Sequence, residues 1–219
     1  VLFERFLRDA KASALADPKK PGIVYINAWN EYTEGCSLLP DVPRGDLQLR
    51  AIALAQMKNY PEALQDYEAI LRLHPKDTTV MKVTYSSMGD LYHQMNDSKN
   101  SYKCYEKALK IDPDYNPVLN NYAYYLSLEG KNLKKAKEMS GKTITSEPDN
   151  PTYLDTYAWI LHLMGQDIEA KAIFKHAMLY GGKESKTILE HYAIVLDALG
   201  EKDLANIYYK QAAAMADDE

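Results

Sequence analysis

With 219 residues, 46% of them apolar, the chain is long enough for one large domain or two small ones and apolar enough for a real core. Its formal net charge of -5 argues against general nucleic-acid or anionic-membrane binding, because phosphate binders carry a basic surplus. No run of about 18 apolar residues occurs, so the sequence predicts no insertion into a membrane. Cys36 and Cys104 lie far apart without metal or disulfide spacing and read as unpaired thiols. Eighteen tyrosines against three phenylalanines predict many packing positions where a ring is buried and its hydroxyl reaches an edge. The opening FERFLRDAK is charged and amphipathic, unlike a secretory signal, so a cytoplasmic placement is expected if Val1 is near the true start. The missing initiator methionine favours a start that has been removed.

Residues 1 to about 42 have a pattern of their own. LFERFLRDAKASALAD has helical spacing, with Leu2, Phe3, Phe6, Leu7 and Ala10 clustered; DPKKPG breaks it, and GIVYINAW is a short, nearly continuous apolar strand. A helix, a break and a doubly buried strand predict the end of an α/β unit with a parallel sheet. Glu31 and Glu34 stand just past the strand, where (β/α) barrels place catalytic residues.

At INAWNEYTEGCSLLPD the sequence resembles the closing segment of WbsX-like proteins related to glycoside hydrolase family 99, which carry a strand ending NAWNEW.EG..LEPD. The resemblance implies that Glu31 and Glu34 would share acid/base work on a glycosidic bond. Tyr32 replaces the usual Trp, and Leu39 stands where a Glu is common. The segment supplies about 40 residues of a barrel that needs roughly 250. A carboxylate pair cleaves glycosides only inside a pocket that tunes its two members apart. The segment therefore reads as the tail of an upstream enzyme domain, and no catalysis is expected from this chain.

The following stretch, PDVPRGDLQLRAI, either continues that segment or enters a repeat with Asp46 as a helix N-cap. Beyond it, NYPEALQDYEAILRLHP, DSKNSYKCYEKALKIDP, NLKKAKEMSGKTITSEP, QDIEAKAIFKHAMLYGG and KDLANIYYKQAAAMADD overlay on one another. A small residue (Ala63, Ser101, Ala136, Ala170, Ala205) is followed four residues later by Tyr67, Tyr105, Ser140, Phe174 or Tyr209. Seven residues after it comes Ile70, Ala108, Thr143, Ala177 or Ala212. That spacing is one helical face. Upstream, Gly89, Ala123, Ala158 and Ala193 mark a close helix approach, and Tyr92, Leu126, Leu161 and Leu196 follow three residues later. Gly130, Gly165 and Gly200 read as C-caps before a turn, and Pro75, Pro113 and Pro148 as the breaks after each second helix.

This order resembles the tetratricopeptide repeat, whose unit is 34 residues. The resemblance covers about Gly45 to Asp217 in five units, and repeat four departs from it only at Gly182, where Pro is usual. Prolines 38 and 35 residues apart leave about four extra residues in KDTTVMKV and about one in GKNLKKA, and repeat one has Arg50 and Ala51 where Leu and Gly are usual. The expected fold is all-α: a right-handed superhelical solenoid of about five helix-turn-helix units over residues 43–219, preceded by the helix-strand fragment of residues 1–42.

In this family the first helices build an inner surface that grips a peptide or a partner's helix. Counting repeat positions places Asp90, His93, Asn120, Tyr124, Asp155, Trp159, His162 and Glu190 on that surface. The Lys, Arg and Asn set that holds a C-terminal carboxylate in some members is absent, so the carboxylates would instead favour a partner carrying Lys or Arg. Tyr124 and Trp159 either stack on such a partner or pack between helices. His93 and His162, lacking a third ligand, predict no metal site, and no cofactor is expected. The lysines of KNLKKAKEMSGK read as a solvated outer face without the aromatics of a nucleic-acid platform. The resulting expectation is a binding scaffold for an unknown protein or peptide. The alternatives are the last portion of a glycan-processing enzyme or a self-assembling solenoid.

Overall fold

The computed structural model describes residues 45–215, whose regular structure is entirely helical. In chain order the helices are α1 Gly45–Gln56, α2 Tyr60–Leu73, α3 Thr78–Gln94, α4 Ser98–Ile111, α5 Asn116–Leu128, α6 Leu133–Ser146, α7 Pro151–Leu163, α8 Asp167–Leu179, α9 Lys186–Ala198 and α10 Lys202–Ala214. A single 3-10 turn, Gly182–Glu184, precedes α9. The helix-strand fragment expected over residues 1–42, with Glu31, Glu34 and Cys36, lies outside the described residues, as does the boundary after residue 42. Asp46 falls within the first turn of α1, not ahead of it as an N-cap.

The punctuation of the sequence sets these bounds. Gly130, Gly165 and Gly200 have φ of 64°, 75° and 79°, the left-handed conformation that closes a helix. Lys58 and Asn96 occupy the corresponding turns of the first two pairs, both at φ 59°, a conformation that costs a residue with a Cβ roughly 1–2 kcal/mol. α2, α4 and α6 each stop two residues short of Pro75, Pro113 and Pro148. Starts are capped as well: the side chain of Asp97 accepts from Asn100 N at 3.1 Å, and that of Asn150 from Thr152 N at 3.0 Å. The extra residues of KDTTVMKV become one added helical turn. α3 has 17 residues where α5 and α7 have 13, and its start is held by Asp77, which accepts from Val80 N at 3.0 Å.

The chain divides into two compact units, Val1–Thr84 and Tyr85–Glu219, with the division inside α3. In the first, α1 packs on α2 around Ala51, Ala63 and Ile70, and Arg50 makes a two-pronged ion pair with buried Asp66. In the second, α5, α7 and α9 touch one another in succession, and each also leans on the second helix of the preceding pair. Ala123, Ala158 and Ala193 on these first helices, and Ser101, Ala136 and Ala170 on the second helices, have no exposed surface. Their small size lets the helices approach, and larger residues fill the joints: Tyr105, Leu119, Tyr122 and Leu126 in one cluster, Leu161, Phe174, Leu189 and Tyr192 in the next.

Gly89 belongs to the same series and is the tightest of them. A Cβ there would stand 2.4 Å from Cε1 and 2.6 Å from Cδ1 of the fully buried Tyr105 ring. Gly89→Ala is expected to destabilise the chain, because overpacking costs about 1–3 kcal/mol and outweighs the roughly 1 kcal/mol that alanine adds to a helix. A denaturation midpoint at or above the parent's would contradict this.

Candidate interaction face

Asp155, Trp159 and His162 are four and three residues apart on α7 and so share one face. Asp155 is buried, and its Oδ1 lies 2.9 Å from Nδ1 of His191 on α9. The same imidazole stacks on Trp159, with ring centroids 4.1 Å apart and planes 16° apart. His162 also borders the indole, at 5.1 Å, and its Nδ1 is 2.6 Å from Oδ1 of Asp167 at the head of α8. Trp159 therefore touches two imidazoles, each held by a carboxylate. Its own Nε1 is sealed from solvent without a hydrogen-bond partner.

On α5, Tyr124 is half-buried; burial pushes its hydroxyl pKa up, and the charge of Asp155 adds to the effect. Asn120 is buried, its Nδ2 donating to Asn121 Oδ1 at 3.4 Å and its Oδ1 left without a partner. Toward α3, Asp90 accepts from the Tyr105 hydroxyl at 2.5 Å and from Asn121 Nδ2 at 3.0 Å. Burial pushes the Asp90 carboxyl up, against those two hydrogen bonds. Because its folded pKa is raised, ionised Asp90 costs stability as pH climbs above the ordinary aspartate range, and acid relieves that cost. His93 stacks on Tyr125, centroids 3.4 Å apart and planes 9° apart, and burial pushes its imidazole down while Glu129 pulls the other way.

The eight residues assigned to the face thus divide by accessibility. Asn120 and Asp155 are buried, and the Asp90 carboxylate is engaged internally. Tyr124, Trp159, His93, His162 and Glu190 keep partial exposure, with Asp197 exposed farther along α9. Three residues that join them, Asn121, Tyr125 and His191, escape a count of repeat positions. Each of the three directly follows a residue that the count does place on the face, Asn120, Tyr124 or Glu190, which is the signal that could have found them.

Lysine is distributed unevenly among the helices of residues 98–214. α5, α7 and α9 contain no arginine and a single lysine, Lys186 in the first position of α9. The second helices α4, α6, α8 and α10 each carry two to four lysines. On α6 several bridge the joints: Lys135 donates to the Tyr122 hydroxyl at 3.0 Å, Lys137 to Gln166 at 2.8 Å and Lys142 to Asp114 at 2.8 Å. Among the described residues no group of three or more His, Cys, Asp or Glu side chains is placed to hold a metal, and no helix is long and apolar enough to cross a membrane.

Residues 83–115 match the tetratricopeptide repeat. No curated protein sequence matches the chain. Among solved structures it is similar to PilW, a widely conserved type IV pilus biogenesis factor, with a TM-score of 0.71 and 16% identity over 81% of this chain and 80% of that one. It is also similar to pilF of Pseudomonas aeruginosa, with a TM-score of 0.66 and 20% identity over 78% of this chain and 75% of that one. A tetratricopeptide repeat protein from Parabacteroides merdae gives 0.60 and 19% identity over 78% and 65% of the two chains. What is shared at these identities is the fold, an all-α tetratricopeptide-type helical array. None of these matches supports the glycoside-hydrolase-like reading of residues 1–42.

Proposed function

We propose that the chain is a non-catalytic protein-binding scaffold, and that the first-helix face of α5, α7 and α9 receives a segment of its partner rich in Lys or Arg. In this reading residues 43–219 form the binding array and residues 1–42 a separate segment. Stacked helix pairs offer a continuous surface suited to a peptide or helix. The observation that carries the reading is the segregation of lysines onto the second helices, which leaves α7 and α9 with the carboxylates Asp155, Glu190 and Asp197, and α5 and α7 with the half-exposed rings of Tyr124 and Trp159. Such a face attracts cationic segments and anchors them on aromatic rings.

The double variant Glu190→Lys/Asp197→Lys tests it, because both side chains are at least partly exposed and their replacement leaves the core intact. A short fluorescent oligolysine peptide is expected to associate with the parent quickly at low salt and more slowly at high salt. The variant should slow association about tenfold or more and flatten the salt dependence. Equal rates for parent and variant would remove this face as the site.

A further inference from the structure

We propose that Asp155 and Trp159 form a subsite for one lysine or arginine side chain of the partner, and that His191 is its built-in competitor, so that acid weakens binding. The inference rests on the reading of the face as a surface for basic segments. A carboxylate beside an indole face is the pairing that recognises an organic cation, through a charge-assisted hydrogen bond and a cation–π contact. His191 occupies both elements at once, bonded to Asp155 at 2.9 Å and stacked on Trp159 at 4.1 Å. It sits where a partner's cation would sit.

Neutral imidazole holds that place with an ordinary hydrogen bond and a neutral stack. Once protonated it forms an ion pair with Asp155 and a cation–π contact with Trp159, and both contacts strengthen. A partner's ammonium or guanidinium needs the same carboxylate oxygen and the same ring, so the two cations compete directly. Imidazole is the side chain whose ordinary charge change falls in the mildly acidic range, which makes the competition dependent on pH. The groups around His191 are a carboxylate that would pair with its cation and a second imidazole that would repel it once charged. α7 presents Asp155, Trp159 and His162, the last tied to Asp167 of α8; α9 itself contributes Glu190; and Tyr124 of α5 lies within the field of Asp155. Neither Asp155 nor His191 is bonded to a lysine or arginine among the described residues.

The test uses the whole chain and the oligolysine peptide, with anisotropy measured near pH 7.5 and near pH 5.5 and circular dichroism confirming unchanged helicity. The parent is expected to lose about tenfold in affinity at the lower pH, within the usual range of coupling between two sites. His191→Gln, which can still hydrogen-bond Asp155 but cannot gain a charge, should reduce that loss to twofold or less. His162→Gln should leave it in place. An equal loss in His191→Gln, or none in the parent, overturns the subsite. Absence of binding at both pH values overturns the reading of the face as well, whereas pH-independent binding overturns the subsite and leaves that reading standing. Should His191→Gln fail to fold, ring resonances of the parent decide the matter. Linkage is reciprocal, so saturating peptide must lower the pH at which the His191 ring takes up its proton, and an unmoved titration refutes the proposal.

Discussion

Trp159→Ala should weaken the oligolysine peptide by on the order of 2 kcal/mol, roughly thirtyfold, while leaving the chain folded. The indole is half-buried, so part of its surface remains for a partner, and it touches the rings of His162 and His191. Truncation strands little, because Nε1 has no hydrogen-bond partner to abandon. The loss should therefore appear in dissociation of the peptide more than in unfolding of the chain. Binding and denaturation measured on the same variant separate the possibilities. Unchanged affinity with a strongly reduced midpoint would make Trp159 a packing residue and nothing more.

The largest effect on stability belongs to Phe174→Ala, expected to cost about 3–5 kcal/mol. The ring has no exposed surface, lies 5.6 Å from Tyr192 across the joint between α8 and α9, and is surrounded by Leu161, Leu189 and Leu196 in one cluster. Because each helix pair of residues 85–215 packs mainly on its neighbours, the damage should stay local. Amide exchange should accelerate in α8, α9 and α10 well before α4 and α5. A loss under 1 kcal/mol, or uniform acceleration through residues 85–215, would show that the joints are not independent.

Much of the fold was legible because the second-helix face demands opposite sizes at fixed intervals. Ala63, Ser101, Ala136 and Ala170 are all fully buried, and Tyr67, Tyr105 and Phe174 four positions later are buried too. Tyr209 has the same spacing but is 37% exposed, since no helix follows α10 among the described residues to cover it. Spacing names a face; it does not supply the neighbour that closes it. The turns at Lys58 and Asn96 were not legible either, because their left-handed conformation is imposed by the helices on either side and carries no glycine to announce it. The candidate face shows the same limit. Helical periodicity placed Asp155, Trp159 and His162 together, but the bond from Asp155 to His191 joins residues 36 apart. That contact depends on how α9 rests on α7, which no spacing within a single helix encodes.

The succession of joints between helix pairs also has a mechanical meaning. In residues 85–215 each pair is fastened only to the next, so no strut ties distant pairs together and shares a load. Under tension such an assembly behaves as a row of latches in series. The weakest joint opens first, the pull on the others drops, and the segment can lengthen in steps and shorten again without losing the pairs that stayed closed.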